Sequence, residues 1–596
     1  MAATPTARFG TGATDAAWDV DLYQPSDVRR ATRLDEVPEV VAWAEAQARA
    51  RRWVVLLLTY EAAPAFDAAC VTQPPSGPVP LAWAAAFDIA QAVEAPVREV
   101  APAELAAPSW APAIDERRFT ADLRRIHAHI AAGDTYQVNY TFPLTAPFPH
   151  DPGSWFAACA EQAHVDYAAY VDIGEAVVMS LSPELFLERR GDRIRTRPMK
   201  GTARRGRWPG EDARLAADLV ASDKARAENV MIVDLLRNDL GRVAVTGSVR
   251  VRDLCALERY PTVWQLTSTI DATLRPGTSL AGLLAATFPC GSVTGAPKVR
   301  TMELIADLEH GPRGIYTGAI ALLRPGGDLV ASVPIRTAVL DRGTGEMTYG
   351  VGAGITADSD PAEEWAECLA KSRVVRPPAV PGDARLFETM RLEEGRLLRR
   401  DAHVARVTAS AALFGWPCDQ ARLARDLDAL CAAHPTGTWR ARLWLDRAGT
   451  TSAEAVPVDL APRRWRVGLA ASPVDPRSPL LFNKTSRREM YDVARATRPD
   501  LDDVILWNGR GELTEGTVGN LVVERDGRRI TPPVASGLLP GVFRAELLSQ
   551  GRVEEGVLTA ADLARATRVW LVNSLRGWID IDIVPPEADV PADIEA

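Results

Sequence analysis

The stretch Val374-Val-Arg-Pro-Pro-Ala-Val-Pro-Gly-Asp383 decides the architecture. Three prolines and a glycine in ten residues can continue neither a helix nor a central strand, because proline fixes φ and lacks the backbone N–H. A helical pattern ends just before this stretch. A fresh strand-like run, Ala384–Leu392, begins just after it. The 596 residues also exceed what one core supports, since domains hold about 100–200 residues each. A linker is therefore expected at 374–383, between a front half and a back domain at 384–596. The Pro-rich stretches Gln73–Pro80 and Ala101–Pro112 read as loops, and the second divides the front half into 1–112 and a catalytic region at 113–373.

Outward from the seam, apolar runs at Trp53–Leu58, Glu175–Leu181, Leu329–Leu340 and Glu346–Val351 read as strands. Phe119–Ala132 and Asp212–Leu240 read as helices. Strands and helices mix without a strict βαβ repeat, which predicts an α+β fold class. The net charge of −10, from 68 basic and 78 acidic residues, supplies no broad cationic surface for nucleic acid. The seven scattered cysteines form no C-x-x-C pair, no apolar run is long enough to span a bilayer, and the first residues do not read as a signal peptide. A cytoplasmic protein without nucleic-acid or membrane partners is expected.

The front half concentrates candidate chemistry in its last third. In Asp358–Arg373, Asp360 suits a helix N-cap and Pro361 the first helical position. Glu364, Glu367 and Lys371 then share a face. The glycine-rich Tyr349-Gly-Val-Gly-Ala-Gly354 precedes them and could present backbone N–H groups to an anion. Glu228 sits on the apolar stripe of the helical run, where a carboxylate needs a partner or a metal. Single carboxylates from two helices suit Mg²⁺, which keeps sites for water and substrate. Lys200, between an X-Pro constraint and Gly201, could act as a nucleophile if its pKa is lowered. Glu184 in Ser182-Pro-Glu-Leu-Phe186 could act as a general acid if desolvated. Taken singly, each of these residues also reads as an ordinary salt-bridged or turn residue.

Seven motifs occur in order: SPELF, RPMKGT, Glu228–Arg242 (ENVMIVDLLRNDLGR), GSVTGAPK, RGIYTGAI, IRT, and GAGI followed by EEWAE. Together they resemble the chorismate-utilising enzymes, strongly over about residues 115–373, with Tyr60–Asp67 resembling the aminodeoxychorismate branch. The resemblance implies an α+β sandwich with its site between the layers. It implies Mg²⁺ on Glu228 and Glu367 with Glu364 nearby, and a chorismate carboxylate on Arg336 and Tyr316. It further implies a second carboxylate near Lys371 and the backbone of Gly352 and Gly354. Gln137 stands where water-adding members carry lysine, Lys200 marks the aminodeoxychorismate synthases, and Gln265 replaces the histidine of pyruvate-eliminating members. The expected front reaction amination of chorismate, with Glu184 as acid and Lys200 as nucleophile, therefore stops at 4-amino-4-deoxychorismate. No Cys sits in a glutaminase-type turn, so a separate glutamine amidotransferase subunit is expected to supply ammonia.

In the back half, Leu386-Phe-Glu-Thr-Met-Arg391, His403-Val-Ala-Arg406, Arg440–Arg447, Asn483-Lys-Thr-Ser-Arg487, Glu515–Asn520 and Leu538–Arg544 appear in order. Over about residues 384–580 they resemble the fold-type IV pyridoxal-phosphate enzymes, which include branched-chain aminotransferase and aminodeoxychorismate lyase. The resemblance implies covalent attachment of pyridoxal 5′-phosphate at Lys484 and pairing of Glu515 with its ring nitrogen. It places Arg406 and the Val518–Gly519 backbone, as a helix N-terminus, around the phosphate. Either Arg442 or Arg447 would hold a substrate carboxylate. The strands usual before the F-E-T motif are largely missing, and Phe543 stands where aminotransferases often carry threonine. The expected reaction is pyruvate elimination to p-aminobenzoate. An amino-acid aminotransferase or an inactive module are the competing readings of this half. Homodimerisation through it is a further expectation.

Overall fold

A computed structural model describes residues 6–10, 19–88, 92–93, 108–163, 165–260, 263–372 and 383–585. The 374–383 seam, apart from Asp383, and residues 101–107 of the second Pro-rich stretch lie outside the described residues. The chain forms two compact units, Met1–Arg205 with Ala216–Ala379, and Gly206–Leu215 with Val380–Ala596.

Two ten-stranded sheets form the first unit. The strand Trp53–Leu58 shows why its sequence is apolar throughout. Val55 and Leu57 enter the core between the sheets, with Phe9, Val171, Val178 and Ile320. Val54, Leu56 and Leu58 enter a core on the other face, beneath the helices Val37–Arg49, Asp223–Gly241 and Leu280–Thr287. A strand buried on both faces has no polar alternation to show. The other sheet is covered by the helices Glu116–Ala131, Pro152–Ala163, Lys298–Leu308 and Pro361–Lys371. The layers therefore run helix, sheet, sheet, helix.

Two expectations need correction. The helical run Asp212–Leu240 is two helices, Pro209–Ala221 and Asp223–Gly241. Ser222 leaves the helical region at ψ 111° and its hydroxyl accepts the Ala225 N–H at 3.2 Å. This N-cap ends one helix and starts the next. The run Leu329–Leu340 likewise divides. Leu329–Ser332 belongs to one sheet and Thr337–Asp341 to the other, and Arg336 takes a left-handed φ of 53° at the crossing.

The second unit contains a four-stranded antiparallel sheet built on Leu386–Glu393 and Thr438–Leu445. It is packed by the helices Arg400–Phe414 and Gln420–Ala433. An eight-stranded sheet accompanies it and closes on itself, because Leu513–Gly516 pairs with both Asp503–Trp507 and Asn520–Arg525. Among the described residues no helix is long and apolar enough to cross a membrane.

Candidate active sites

In the first unit, the strand Met199–Arg204 is an edge strand of one sheet, and Gln137–Pro147 and Glu346–Ile355 are neighbours in the other. Their side chains meet between the layers. A Cβ added to Gly354 would lie 2.7 Å from Lys200 Nζ and 2.7 Å from Gln137 Nε2. Glycine is what lets the lysine reach the opposite sheet there. Gln137 is buried, and neither its amide nitrogen nor its oxygen has a partner among the described residues. Asn229 fixes the lysine strand from behind. Its Nδ2 donates to the carbonyls of Lys200 and Leu266, both at 3.3 Å, and its Oδ1 accepts the Ser268 hydroxyl at 2.5 Å. Nothing in the spacing of the ENVMIVDLL stretch singles out this residue.

Burial lowers the pKa of Lys200. The carboxylates of Glu228, Glu184 and Glu367 oppose that shift, and the Lys371 charge adds to it. Glu184 is 3% exposed, and one carboxylate oxygen has no partner among the described residues. Burial pushes it up to about 7, against a Ser292 hydrogen bond and the Lys200 charge. Burial is also the main cause raising Glu228 and Glu364. Glu364 and Glu367 push Glu228 up further, while Lys200 and Lys224 hold it down. Lys224 is a second residue that sequence reading missed. Glu367 is lowered by Lys371, whose ammonium lies 2.9 Å away and also donates to Gly352 O at 2.7 Å. Lys371 is thus already engaged by protein groups. Among the described residues no three or more His, Cys, Asp or Glu are grouped to hold a metal.

Tyr316 lines a separate cavity with Glu309, Arg313 and Gly350, and Arg336 is not among that cavity's lining residues. Arg336 is partly buried, burial lowers its pKa, and it makes no ion pair among the described residues. Tyr316 packs its ring against Gly350, where a Cβ would lie 2.2 Å from the tyrosine Cγ. Gln265 is spent on structure, accepting the Thr202 hydroxyl at 2.8 Å.

In the second unit, a cavity of about 340 Å³ is lined by Lys484, Glu515, Arg406, Arg442, Val518 and Gly519 among others. Lys484 lies over the Phe387 ring at 4.6 Å. Burial, then the charges of Arg406 and Arg488, bring its pKa down to about 7. Glu515 lies on the strand Leu513–Gly516 rather than in a turn. It accepts Tyr491 OH at 2.9 Å, Leu539 N at 3.0 Å and Asn520 Nδ2 at 3.0 Å. Burial pushes it up to about 7. Arg406 reaches the cavity but is clamped on Glu388, at 2.8 and 2.5 Å, together with His403 at 2.7 Å.

Two expectations fail here. Arg447 does not line the cavity. The strand ends at Leu445, and it is the alternating Arg440 and Arg442 that face inward. Val518–Gly519 is no helix N-terminus either, because Gly516 N bonds Gly519 O at 2.8 Å and the chain turns directly into the strand Asn520–Arg525. Helix N-termini do reach this cavity, those of Val542–Ser549 with Gly541 as N-cap and of Glu489–Ala496 with Arg488 as N-cap.

Residues 2–377 match the chorismate binding enzyme family, and residues 385–584 match amino-transferase class IV. An aminodeoxychorismate synthase of Streptomyces griseus is 46% identical over 245 residues, covering 41% of this chain and 34% of that protein. An anthranilate synthase component 1 of Haloarcula marismortui is 42% identical over 270 residues, covering 44% and 55%. The chain thus spans 34% and 55% of the lengths of these curated relatives. The crystal structure of anthranilate synthase component I from Streptococcus pneumoniae shares the fold, with a TM-score of 0.53 and 23% identity over 63% of this chain and 94% of that one.

Proposed function

The chain belongs to the chorismate binding enzyme family, and on that premise we propose that it makes p-aminobenzoate in two steps at two sites. The first unit aminates chorismate to 4-amino-4-deoxychorismate. The second eliminates pyruvate from that product with pyridoxal 5′-phosphate. The observation that carries the reading is a repeated pairing. Each unit holds a lysine whose pKa burial lowers, together with a buried carboxyl raised to about 7: Lys200 with Glu184, and Lys484 with Glu515.

In the first unit, Glu184 is protonated near neutrality and donates its proton as the C4–OH bond of chorismate breaks and water leaves. The amine of Lys200, whose pKa burial lowers, bonds to C2 in the same step, and the ring double bonds shift. Ammonia then bonds to C4, the C2–lysine bond breaks, and a proton returns to Glu184. A separate glutamine amidotransferase subunit supplies the ammonia. Arg336 and Tyr316 take one substrate carboxylate, a task suited to an unpaired guanidinium. Mg²⁺ fits an acidic face whose carboxyls Glu228 and Glu364 are raised by burial and by neighbouring negative charge. Glu228 and Glu367 would hold it, with Glu364 near, and when bound it supplies a positive anchor for the ring carboxylate. Lys371 and the Gly352 and Gly354 backbone flank that carboxylate.

In the second unit, the lysine, the raised carboxyl and the helix N-terminus at Gly541 fit pyridoxal 5′-phosphate. Lys484 would bond to it and Glu515 would face its ring nitrogen. Arg406, Val518–Gly519 and the Gly541–Val542 backbone, which line the cavity, would hold its phosphate. When bound, the cofactor supplies an electron sink. Lys484 accepts the proton from the ring carbon bearing the amine and passes it to the departing enolpyruvate. Arg442 binds a substrate carboxylate.

The protein supplied with chorismate, Mg²⁺ and ammonium should yield p-aminobenzoate and pyruvate in equal amounts. Anthranilate as product would overturn the first assignment. Added 4-amino-4-deoxychorismate consumed without pyruvate release would overturn the second and favour amino-group transfer.

A further inference from the structure

One segment of the second unit comes from the first half of the chain. Gly206–Leu215 lies in sequence between the strand Met199–Arg204, which carries Lys200, and the helix Asp223–Gly241, which carries Glu228. It nevertheless belongs to the compact unit of Lys484. The residues that match amino-transferase class IV, 385–584, do not include it. Local bonds give the segment one shape. Gly206 N donates to Asp212 Oδ1 at 2.8 Å, and a Cβ on Gly206 would lie 2.1 Å from Asp212 N, so only glycine fits. Glu211, 5% exposed, accepts Arg207 N at 2.7 Å and the Arg207 guanidinium at 3.1 and 3.0 Å.

The segment is fastened to the residues just before Lys484. Trp208 stacks on Phe482, with ring centroids 4.8 Å apart and planes at 25°. The Arg207 guanidinium lies over both rings, at 4.9 and 5.0 Å, and donates to Pro476 O at 2.9 Å. Asn483 is 2% exposed and uses its whole amide. Its Nδ2 donates to Arg207 O and Pro479 O, both at 3.0 Å, and its Oδ1 accepts the Ser410 hydroxyl at 2.8 Å. Ser410 lies on the helix Arg400–Phe414, which also carries His403 and Arg406. On the other side, Lys484 O accepts Phe387 N at 2.9 Å. Trp208 also packs against the core cluster that holds Phe482 and Tyr491, and the Tyr491 hydroxyl donates to Glu515 at 2.9 Å.

We infer that Trp208, clamped by Arg207, is a positioning residue for Lys484, so that the second active site is completed by a segment from the first half of the chain. This rests on the two-step reading above and deepens it. Lys484 accepts a proton at one carbon and delivers it at another, so its amine moves while its backbone has to stay. A displacement of about 1 Å at a reacting group costs about a hundredfold in rate. The strand Leu386–Glu393 holds the carbonyl side of Lys484. Phe482 and Asn483 hold the other side, and both rest on Arg207 and Trp208. Without the indole, Phe482 faces a cavity and residues 482–484 are free to shift into it.

The test uses the full-length, cofactor-loaded protein and three variants, Trp208→Ala, Trp208→Leu and Trp208→Phe. Two quantities are read: kcat and KM for pyruvate release from 4-amino-4-deoxychorismate, and the pH midpoint of the absorbance of the cofactor bound to Lys484. Trp208→Ala should lower kcat about tenfold or more while KM stays within about twofold. It should also move the absorbance midpoint by about half a pH unit or more, because the surroundings of the lysine change. Trp208→Phe still stacks and should return both to near the unaltered values. Trp208→Leu fills space without a ring face and should fall between. The proposal is overturned if Trp208→Ala and Trp208→Leu keep the unaltered kcat and midpoint, if the loss falls on KM alone, or if Trp208→Phe is as impaired as Trp208→Leu. A protein whose midpoint responds in this order but which releases no pyruvate in any form would overturn the elimination reading alone.

Discussion

The two lysines sit in opposite electrostatic surroundings. Lys200 faces carboxylates, with Glu228, Glu184 and Glu367 all pulling its pKa back up against burial. Lys484 faces guanidiniums first, with Arg406 and Arg488 reinforcing burial and Glu388 and Glu515 opposing it more weakly. Burial lowers the pKa of both lysines, once in an acid-rich site and once in a base-rich one. The difference teaches what each site lacks. The first has surplus negative charge and calls for a cation. The second has surplus positive charge and calls for anions, a phosphate and the carboxylates of a substrate.

The sharpest break between the sites comes from removing either lysine. Lys200→Ala should lower chorismate amination by about a thousandfold or more, and leave pyruvate release from added 4-amino-4-deoxychorismate intact. Lys484→Ala should do the reverse, which product analysis on each substrate checks. Chelation of divalent metal should silence the first reaction and spare the second, measured in the same two assays. Glu184→Gln should slow amination by about a hundredfold or more. Because Glu184 is raised to about 7, its acid form is lost as pH rises through that value. Amination with the wild-type acid should therefore fall above about pH 7, and this limb should vanish in the glutamine variant.

Smaller effects sharpen the contrast. In the apoprotein, Glu515 is raised from 4.5 to about 7 in the folded state. The folded state therefore holds a proton that the unfolded state releases between those values. Stability falls as pH rises through that window, by at most about 3 kcal/mol, and levels off above it. Glu515→Gln should flatten this slope in thermal melts. Asn229→Ala removes the bonds that hold the Lys200 strand to its helix. It should cost about 1–2 kcal/mol of stability and reduce amination by about tenfold, with the second reaction unchanged.

Much of this was legible along the chain. Trp53–Leu58 read as a strand because a doubly buried strand is apolar at every position, whereas Lys200, Glu184, Lys484 and Glu515 are ordinary taken singly and were picked out by the ordered motifs that resemble known families. What was hidden depended on pairings distant in sequence. The Ser222 cap looked like one polar residue inside a helix, and the crossing at Arg336 looked like the middle of one strand. Arg447 and Arg442 could not be told apart until the end of the strand at Leu445 showed which side chains face inward. Val518–Gly519 resembled a helix entry because glycine-rich turns lead into strands as readily as into helices. Asn229 acts through partners tens of residues away, Lys200, Leu266 and Ser268, which no local pattern displays.

The most direct test of two independent sites in one chain is complementation. The Lys200→Ala protein is mixed with the Lys484→Ala protein, and chorismate, Mg²⁺ and ammonium are supplied. Each variant alone should make no p-aminobenzoate, and the mixture should make it. A mixture that stays silent while the unaltered protein forms product would contradict the account.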